Sequence, residues 1–284
     1  MTCPNRDGTK GTRGCIFCSA GGSGEFAVSA SGKSVEEQLL EGQGLLSRKI
    51  SLPEDKPCII AYFQAYTNTY APVEYLERIF SQALSSPRVC GISVATRPDC
   101  LPEETLALLD SLKKRFPDKF IWVELGLQTI HDATAHFIRR GYDLSCFEES
   151  YAALQSLGIP VIIHIILGLP GETRAQMLET VSYLNRLCPF GVKLQLLHVL
   201  QDTDLAQCYA RKEFQVLERK EYIALAADCL ERLSPRIVVH RVTGDGPRKL
   251  LIAPLWSTDK RGVLNELHRT LKERGSQQGS FSPI

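Results

Sequence analysis

Three cysteines near the start of the chain are the residues whose spacing most clearly indicates chemistry. Cys3 is followed by eleven residues, Cys15, two further residues and Cys18, and six of the 21 glycines lie between positions 8 and 24. A gap of two residues lets two sulfurs reach one metal centre, and glycine lets the backbone approach a bulky inorganic group. The chemistry expected here is that of thiolates, either metal binding or redox exchange.

Four interpretations of these thiols compete. A structural zinc site normally has four ligands, and no second Cys-x-x-Cys pair, Cys-x-x-His or His-x-x-x-His pattern follows. A thioredoxin-like pair opens a helix after a strand and has no use for Cys3. Unrelated loop thiols are the third interpretation, although a polar glycine loop is not a core. The fourth is an iron–sulfur cluster held by three thiolates, which leaves one iron open.

The rest of the composition is that of an ordinary globular chain. The 284 residues are 44% hydrophobic, and 33 Lys and Arg against 32 Asp and Glu give a net charge of +1, so bulk charge names no partner. The longest apolar run, 161–170, is far shorter than the roughly 20 residues of a membrane span, and the first ten residues lack an export signal. We therefore predict no membrane association, a cytoplasmic location and reduced cysteines.

Beyond residue 50, apolar segments alternate with helical patterns. Helices are expected to begin at Pro72, at Pro102 and after Gly171, where proline and acidic residues suit a first turn. The strands are apolar almost throughout, as expected for parallel strands covered on both faces. The pattern predicts an α/β fold, either a parallel barrel or a doubly wound sheet. The predicted strands span 58–63, 89–96, 120–128, 161–168 and 193–200.

The pattern changes after residue 200. A full eight-fold barrel takes about 250 residues, so a smaller or incomplete barrel fits the five predicted strands better. Helices are predicted over about 203–211, 218–233 and 259–274, with one strand-like segment over 236–242. We expect a barrel core over 1–205, an α-rich extension packed on the barrel over 206–275, and a disordered tail over 276–284.

The three clustered cysteines have an aromatic residue just before the third and stand at the start of a series of βα units. This arrangement resembles that of the radical SAM superfamily. The wide first gap resembles its elongator catalytic-subunit branch, and the resemblance covers residues 3–205. Each further matching motif ends a predicted strand, the face where barrel active sites are built. These motifs are TRPD (96–99), ELGLQT (124–129), IILGLPGET (165–173), shared with methylthiotransferases and anaerobic coproporphyrinogen oxidases, and HVLQDTDL (198–205).

The resemblance implies a partial parallel (βα)6-type barrel and two cofactors. Cys3, Cys15 and Cys18 would hold a [4Fe-4S] cluster whose fourth iron binds S-adenosylmethionine (SAM), and reduction would then release a 5'-deoxyadenosyl radical. In the family the cluster loop follows the first strand, whereas only Met1 and Thr2 precede Cys3. The first strand is therefore expected to be missing, either because the sequence starts late, which we favour, or because this protein lacks it.

The resemblance also implies SAM-binding residues at the strand ends. Phe17 would pack beside the cluster and the adenosine, or would anchor the loop. Gln64 stands where many relatives carry Gly-Gly-Glu for the methionine amino group. Arg97 would hold a carboxylate or a phosphate, or would pair with Asp99. Gly168 would let the backbone pass close to adenine.

Two further pairs of polar residues lie on predicted strands. Glu124 and Gln128 alternate on one strand and would reach the barrel interior together, to bind SAM or to close the barrel by a salt bridge. His164 and His198 lie in apolar runs and would face SAM or substrate, or would be hydrogen-bonded core residues. No catalytic residue is assigned, and Cys100 or a tyrosine is a candidate hydrogen donor.

The elongator-like branch points to tRNA as substrate, by remodelling of a wobble-uridine side chain. Residues 248–274 hold seven Lys or Arg against three acids, which suits phosphate contacts or a solvated helix face. An electron donor such as flavodoxin or ferredoxin is the other expected partner. The reaction would be that of an oxidoreductase or of a transferase. No oligomeric state is predicted. The alternative function is a noncatalytic iron–sulfur or zinc-binding scaffold.

Overall fold

The computed structural model describes residues 1–47, 50, 57, 59–244 and 246–282. The helices are α1 (Val35–Ser47), α2 (Val73–Ser85), α3 (Glu103–Arg115), α4 (Asp132–Phe137), α5 (Leu144–Ser156), α6 (Arg174–Leu187), α7 (Asp204–Ala210), α8 (Arg219–Arg232) and α9 (Lys260–Glu273). The strands are β1 (Ile59–Phe63), β2 (Val89–Thr96), β3 (Phe120–Gln128), β4 (Val161–Leu167), β5 (Gly191–Leu196), β6 (Val199–Leu200), β7 (Val238–Arg241) and β8 (Leu251–Ala253).

Six of these strands form one sheet in the order β1-β2-β3-β4-β5-β7. β1 pairs with β2, β2 with β3, β4 with β5 and β5 with β7, each in parallel. The predicted parallel α/β fold is confirmed, and Cys58, predicted to begin the first strand, lies outside the described residues. The sixth strand, β7, comes from the strand-like segment 236–242 and joins the main sheet. Residues 1–34, which are all described, form turns.

The predicted strand over 193–200 is wrong in one respect, since it is two strands. The chain leaves the sheet after Leu196, and β6 pairs antiparallel with β8 in a separate two-stranded sheet. His198 lies at the break, and a Cβ added at Gly244 would approach its ring to 2.4 Å. A close approach of this kind accompanies the break and cannot be seen in an apolar run of the sequence.

The chain divides into two compact units. The first comprises Met1–Thr12, Gly21–Leu125 and Ser145–Val161. Its core forms where α2 buries Phe80 and its apolar neighbours, and the Phe80 ring meets Phe63 edge to face with centroids 4.9 Å apart. β2 and β3 pair in register from Gly91 with Phe120 to Thr96 with Leu125.

The second unit comprises Arg13–Ala20, Gly126–Leu144 and Ile162–Ile284. Its apolar core includes Ile16, Ile138 and Leu205, with Phe17 packed against it. β7, α8 and α9 belong to this unit, and the α8–α9 pair buries Leu267 and Val263 of α9.

The tail predicted to be disordered over 276–284 is instead held in place over the described residues 276–282. The Gly279 N–H donates to the Leu230 carbonyl at 3.1 Å, and the Phe281 N–H donates to the Glu231 carbonyl at 2.7 Å. The Gln278 amide donates to the Ser234 and Ile237 carbonyls at 2.9 and 2.7 Å. This segment therefore donates hydrogen bonds to carbonyls in and just after α8. Residues 283 and 284 lie outside the described residues.

Candidate functional site

Cys15 and Cys18 lie in a single turn of the second unit. The Cys18 N–H donates to the Cys15 carbonyl at 3.0 Å. Between them, the Ile16 N–H donates to the Ile138 carbonyl at 3.2 Å, and the Ile16 carbonyl accepts from the Leu205 N–H at 2.9 Å. The turn is thus fixed by backbone bonds on both sides of Ile16, which sets the direction of the two flanking thiols.

Apolar packing reinforces this turn. Ile16 is buried in the core of the second unit, and Phe17 packs against the same core while staying partly exposed. The structure therefore shows Phe17 as an anchor of the loop, and its predicted contact with the cluster and adenosine stays a prediction.

A charged contact also holds the segment before Cys15. Asp204, the first residue of α7, lies 2.5 Å from Arg139 and 3.4 Å from Arg13. Sequence analysis did not single out these three residues, because two arginines from separate segments meet one carboxylate only in the fold. The signal available was the Asp204 of the HVLQDTDL motif.

Cys3 lies in a loop of the first unit. Its carbonyl accepts from the N–H groups of Arg6 and Asp7 at 2.8 and 3.2 Å. The Thr67 N–H, in the loop after β1, donates to the Thr2 carbonyl at 3.2 Å. Arg97 Nη1 donates to the Cys3 sulfur at 4.0 Å.

Arg97 follows β2 and is fixed by Asp99. The Arg97 Nε and Nη2 donate to the two carboxylate oxygens at 2.9 and 2.8 Å, and the Lys10 ammonium lies 2.7 Å from the same carboxylate. Burial alone would raise the pKa of Asp99, but Arg97 and Lys10 hold it below its usual value. The structure shows the predicted pairing with Asp99, and the binding of a ligand carboxylate or phosphate stays a prediction.

Cys100 lies beside this network, at the wall of a cleft of about 730 Å³. Burial, followed by the charge of Asp99, raises the pKa of its thiol to about 12. Its Sγ lies 3.8 Å from the Asp99 carboxylate. The thiol stays protonated at neutral pH, which is the state that a hydrogen donor requires.

Glu124 is buried on β3 and accepts two hydroxyl hydrogen bonds within the first unit. Tyr62 donates to one oxygen at 2.7 Å and Ser93 to the other at 2.8 Å. Neither hydroxyl was identified from the sequence as a partner of Glu124.

Gln64 follows the end of β1 and is partly buried. Its role in binding SAM stays a prediction, as does that of Glu124.

Gln128 ends β3 in the second unit with a left-handed backbone, φ 65°. Its Oε1 is buried and has no hydrogen-bond partner among the described residues. The fully buried Arg140 fixes the backbone around it, because Nη1 donates to the Leu127 and Thr129 carbonyls at 2.9 and 2.6 Å. A strained residue with an orphaned acceptor fits a ligand that brings an N–H or O–H donor.

Gly168 follows β4 with φ 85°, and a Cβ there would lie 3.1 Å from Leu217. Its N–H donates to the Met177 sulfur at 3.1 Å. The glycine is thus required by its backbone conformation and by Leu217, whereas the predicted approach to adenine stays a prediction. Glu172, in the same motif, accepts from the Thr129 hydroxyl, and burial raises its pKa.

Both candidate histidines are hydrogen-bonded within the second unit. His164 Nδ1 lies 2.9 Å from the Gln195 amide, and His198 Nε2 lies 3.0 Å from the Ser257 hydroxyl. Burial, followed by the charge of Lys260, lowers the pKa of His198 to about 4, so this ring is neutral at physiological pH. The observed contacts are those of hydrogen-bonded interior residues, and contact with SAM or substrate stays a prediction.

The donor chemistry fits an iron–sulfur cluster. Every cysteine in the described part of the chain is a free thiol, and Cys3, Cys15 and Cys18 are each partly exposed. Thiolates are the usual ligands of such clusters. Over the described ranges no three Cys, His, Asp or Glu side chains are gathered ready to hold a metal ion. The fit therefore depends on the chemistry of the thiols and on the orphaned acceptor of Gln128.

Comparison with known families shows the superfamily to which the chain belongs. A model described as the radical SAM superfamily matches residues 8–184, and a radical SAM C-terminal domain model matches residues 189–273. The chain belongs to the radical SAM superfamily. It is accordingly a radical SAM enzyme whose cofactors are a [4Fe-4S] cluster and SAM, as predicted, and the scaffold alternative is set aside.

The chain is also similar to individual proteins. The protein YtqA of Bacillus subtilis is 44% identical over 279 residues, 98% of this chain and 84% of its own length. The tRNA uridine(34) acetyltransferase of Methanocaldococcus jannaschii is 24% identical over 169 residues, 58% of this chain and 30% of its own length. The structure of Methanocaldococcus infernus Elp3 matches with a TM-score of 0.69 and 18% identity, over 84% of this chain and 58% of that chain. This structural likeness shows the radical SAM fold.

Among the described residues no helix has the length and apolar character needed to cross a membrane.

Proposed function

We propose that this radical SAM enzyme modifies a tRNA uridine at the wobble position. The observation that carries the chemistry is the Cys15–Cys18 turn, fixed through Ile16 to Ile138 and Leu205. The substrate rests on relationship, because the tRNA uridine(34) acetyltransferase shares 24% identity with this chain. Since the match spans 30% of that enzyme, acetyl transfer itself is not carried over.

The proposal assigns cluster binding to Cys3, Cys15 and Cys18. When bound, the cluster and SAM supply a 5'-deoxyadenosyl radical that abstracts a hydrogen atom from the substrate. The orphaned Gln128 acceptor is proposed to receive a hydroxyl or amine of SAM. His198, neutral at physiological pH, adds no charge to the second unit, and Cys100 in the first unit keeps its proton.

The C-terminal region supplies the proposed RNA contacts. Arg274 lies 2.9 Å from both Asp228 and Glu231, so its charge is balanced by carboxylates of the protein itself. Arg219 in turn pairs with Asp259 and Glu266, which neutralises two of the acids of this region. The other exposed basic side chains of this region, proposed to meet phosphates, are Arg248, Lys249, Lys260, Arg261, Arg269 and Lys272.

We also propose a one-electron donor such as flavodoxin or ferredoxin, acting in the cytoplasm. Lys10 and Arg13, both exposed, lie in the loop between the first two cysteines. Basic residues beside the proposed ligands favour an acidic docking surface on the donor.

The substrate is tested with protein reconstituted anaerobically with iron, sulfide and SAM. Undermodified tRNA is added with reductant, and both 5'-deoxyadenosine and the digested nucleosides are measured by mass spectrometry. The expected result is a uridine nucleoside of altered mass that the Cys18→Ala variant does not produce. Formation of 5'-deoxyadenosine with an unchanged nucleoside profile would reject tRNA as substrate and leave the radical chemistry in place.

RNA binding is tested with paired variants. Arg269→Gln with Lys272→Gln should weaken tRNA binding several-fold and flatten its dependence on salt, because fewer counterions are released. The control removes two exposed arginines of the first unit, Arg78→Gln with Arg115→Gln. Equal losses in both double variants would show that the C-terminal region has no special role.

A further inference from the structure

The guanidinium of Arg97 directs one N–H group, that of Nη1, at the sulfur of Cys3. Asp99 occupies Nε and Nη2 at 2.9 and 2.8 Å, and Nη1 lies 4.0 Å from Cys3 Sγ. A planar group that is bidentate to a carboxylate along one edge has its remaining N–H groups fixed in direction. The direction of the Arg97 donor toward this sulfur is therefore set by Asp99.

The network is closed by the loop that carries Cys3. The Lys10 ammonium lies 2.7 Å from Asp99, and the Lys10 N–H donates to the Pro4 carbonyl at 2.8 Å. Arg97 and Asp99 are largely buried, with side chains 10% and 7% exposed. The Arg97–Asp99 ion pair thus lies where solvent screens it weakly, whereas the second cation on this carboxylate, Lys10, is 40% exposed.

We propose that Arg97 is a positioning residue that tunes the reduction potential of the iron–sulfur cluster through Cys3. This inference rests on the proposed function, since it requires Cys3 to be a cluster ligand. Hydrogen bonds to cluster sulfurs and nearby net charge are among the factors that set cluster potentials. An N–H donor and a positive charge stabilise the reduced, more negative cluster, so Arg97 raises its potential, and Asp99 and Lys10 hold Arg97 in place.

The potential is measured by redox titration followed by electron paramagnetic resonance (EPR) on reconstituted full-length protein without SAM. Arg97→Gln should lower the midpoint by about 59 mV, a tenfold change in the equilibrium of a one-electron couple. Arg97→Lys keeps the charge but loses the bidentate geometry. Its midpoint potential should lie between those of the unsubstituted protein and Arg97→Gln. Arg115→Gln is the matched control, because Arg115 is also paired with a carboxylate, Glu77, in the first unit.

A purely structural role for Arg97 makes a different prediction. It would lower the iron content of Arg97→Gln while leaving the potential of the remaining clusters unchanged, and that result would overturn the inference. A shift of equal size in Arg115→Gln would overturn it as well, by showing a general effect of charge.

A spectroscopic measurement keeps the test available if Arg97→Gln fails to fold. In protein containing arginine labelled with the heavy nitrogen isotope, pulsed EPR of the reduced cluster should show a weak nitrogen coupling that Arg97→Lys abolishes and Asp99→Asn weakens. Absence of this coupling from the unsubstituted protein would overturn the inference. Wild-type protein that binds no cluster would instead overturn the proposed function, so the two failures are distinguishable.

Discussion

The loop of Cys3 and the turn of Cys15 and Cys18 are held by different forces. Around Cys3 the side-chain contacts are charges, with Lys10 and Arg97 both on Asp99. Around Cys15 and Cys18 the contacts include backbone hydrogen bonds to Ile16 and apolar packing of its side chain, and a charged contact of Arg13 with Asp204 lies beside them. The first arrangement fixes the electrostatic surroundings of one proposed ligand, whereas the second fixes the direction of two.

This difference separates two tasks of a cluster loop. An apolar anchor keeps its strength in salt, because burial of apolar surface is not screened. A charged network is adjustable, since one substitution changes the field at the sulfur, but exposed members such as Lys10 contribute little to stability. We therefore expect the Cys15–Cys18 turn to set whether the cluster binds, and the Cys3 loop to set how readily it is reduced.

The largest expected effect comes from the proposed ligands themselves. Cys3→Ala and Cys15→Ala should each abolish the [4Fe-4S] absorbance and the formation of 5'-deoxyadenosine, because two remaining thiolates do not hold the cluster. Iron content and visible absorbance after anaerobic reconstitution check this. Cys208→Ala, which removes a partly exposed thiol outside the loop, serves as the control. Normal cluster content in Cys3→Ala would remove that loop from the site.

The next effect separates the apolar anchor from the charged one. Ile16→Ala should lower the free energy of unfolding by about 2–4 kcal/mol, because a buried side chain is replaced by a cavity. Lys10→Gln should lower it by less than about 1 kcal/mol, because the Lys10 side chain is 40% exposed. Denaturant unfolding of the two variants measures both values, and similar losses would contradict the comparison.

The third effect concerns acid. The folded-state pKa of His198 is about 4, below its ordinary value of 6.5, so the unfolded chain binds the proton first. Stability from this ring is present above pH 6.5 and should fall by about 3 kcal/mol as the pH drops to about 4. His198→Gln should lose this dependence in unfolding titrations, while the exposed His268→Gln should retain it.

Asp99 should make the Cys3 loop sensitive to acid at a lower pH than the range in which His198 acts. Its pKa is held below the ordinary 3.8, so its contribution is present above that pH and is lost as the pH falls further. Hydrogen exchange during acidification measures this, and loss of structure in peptides covering residues 1–12 while the pH is still above 3.8 would contradict the expectation.

The smallest effect is the response to salt. Raising the ionic strength should increase hydrogen exchange in residues 1–12 and leave that of residues 13–20 unchanged, because only the first depends mainly on charge. Mass spectrometry of the two peptides measures the difference, and the Lys10→Gln variant should show a reduced response. An equal response in both peptides would show that Arg13 and Asp204 hold the second turn more than Ile16 does.

Much of the fold could be predicted because continuous apolar runs between helical patterns indicate buried parallel strands. The boundaries of β2 and β3 match the predicted segments, and β1 differs only at Cys58, which lies outside the described residues. The division of 193–200 into β5 and β6 was missed, since the packing of His198 against Gly244 that accompanies it cannot be seen in an apolar run. The contacts of the last residues were missed because composition does not show which carbonyls need donors.

The candidate site was predicted only as far as its residue types allowed. Cysteines at a telling spacing are visible in the sequence, but the role of Arg140 is not, because its partners are the backbone carbonyls of Leu127 and Thr129. Nor could the orphaned acceptor of Gln128 be foreseen, since a missing partner is a property of the folded chain. Sequence thus identified reactive groups, and the structure identified the groups that constrain them.

The ordered segment 276–282 has a practical consequence for handling the protein. Ser276 donates to the Glu231 carboxylate, which is only 2% exposed, and the Phe281 N–H caps the Glu231 carbonyl. Trimming the chain at Gly275 would remove the Ser276 donor from this buried carboxylate and leave Arg274, 2.9 Å away, as its partner. An affinity tag is therefore better placed so that residues 276–282 and their contacts with α8 are kept.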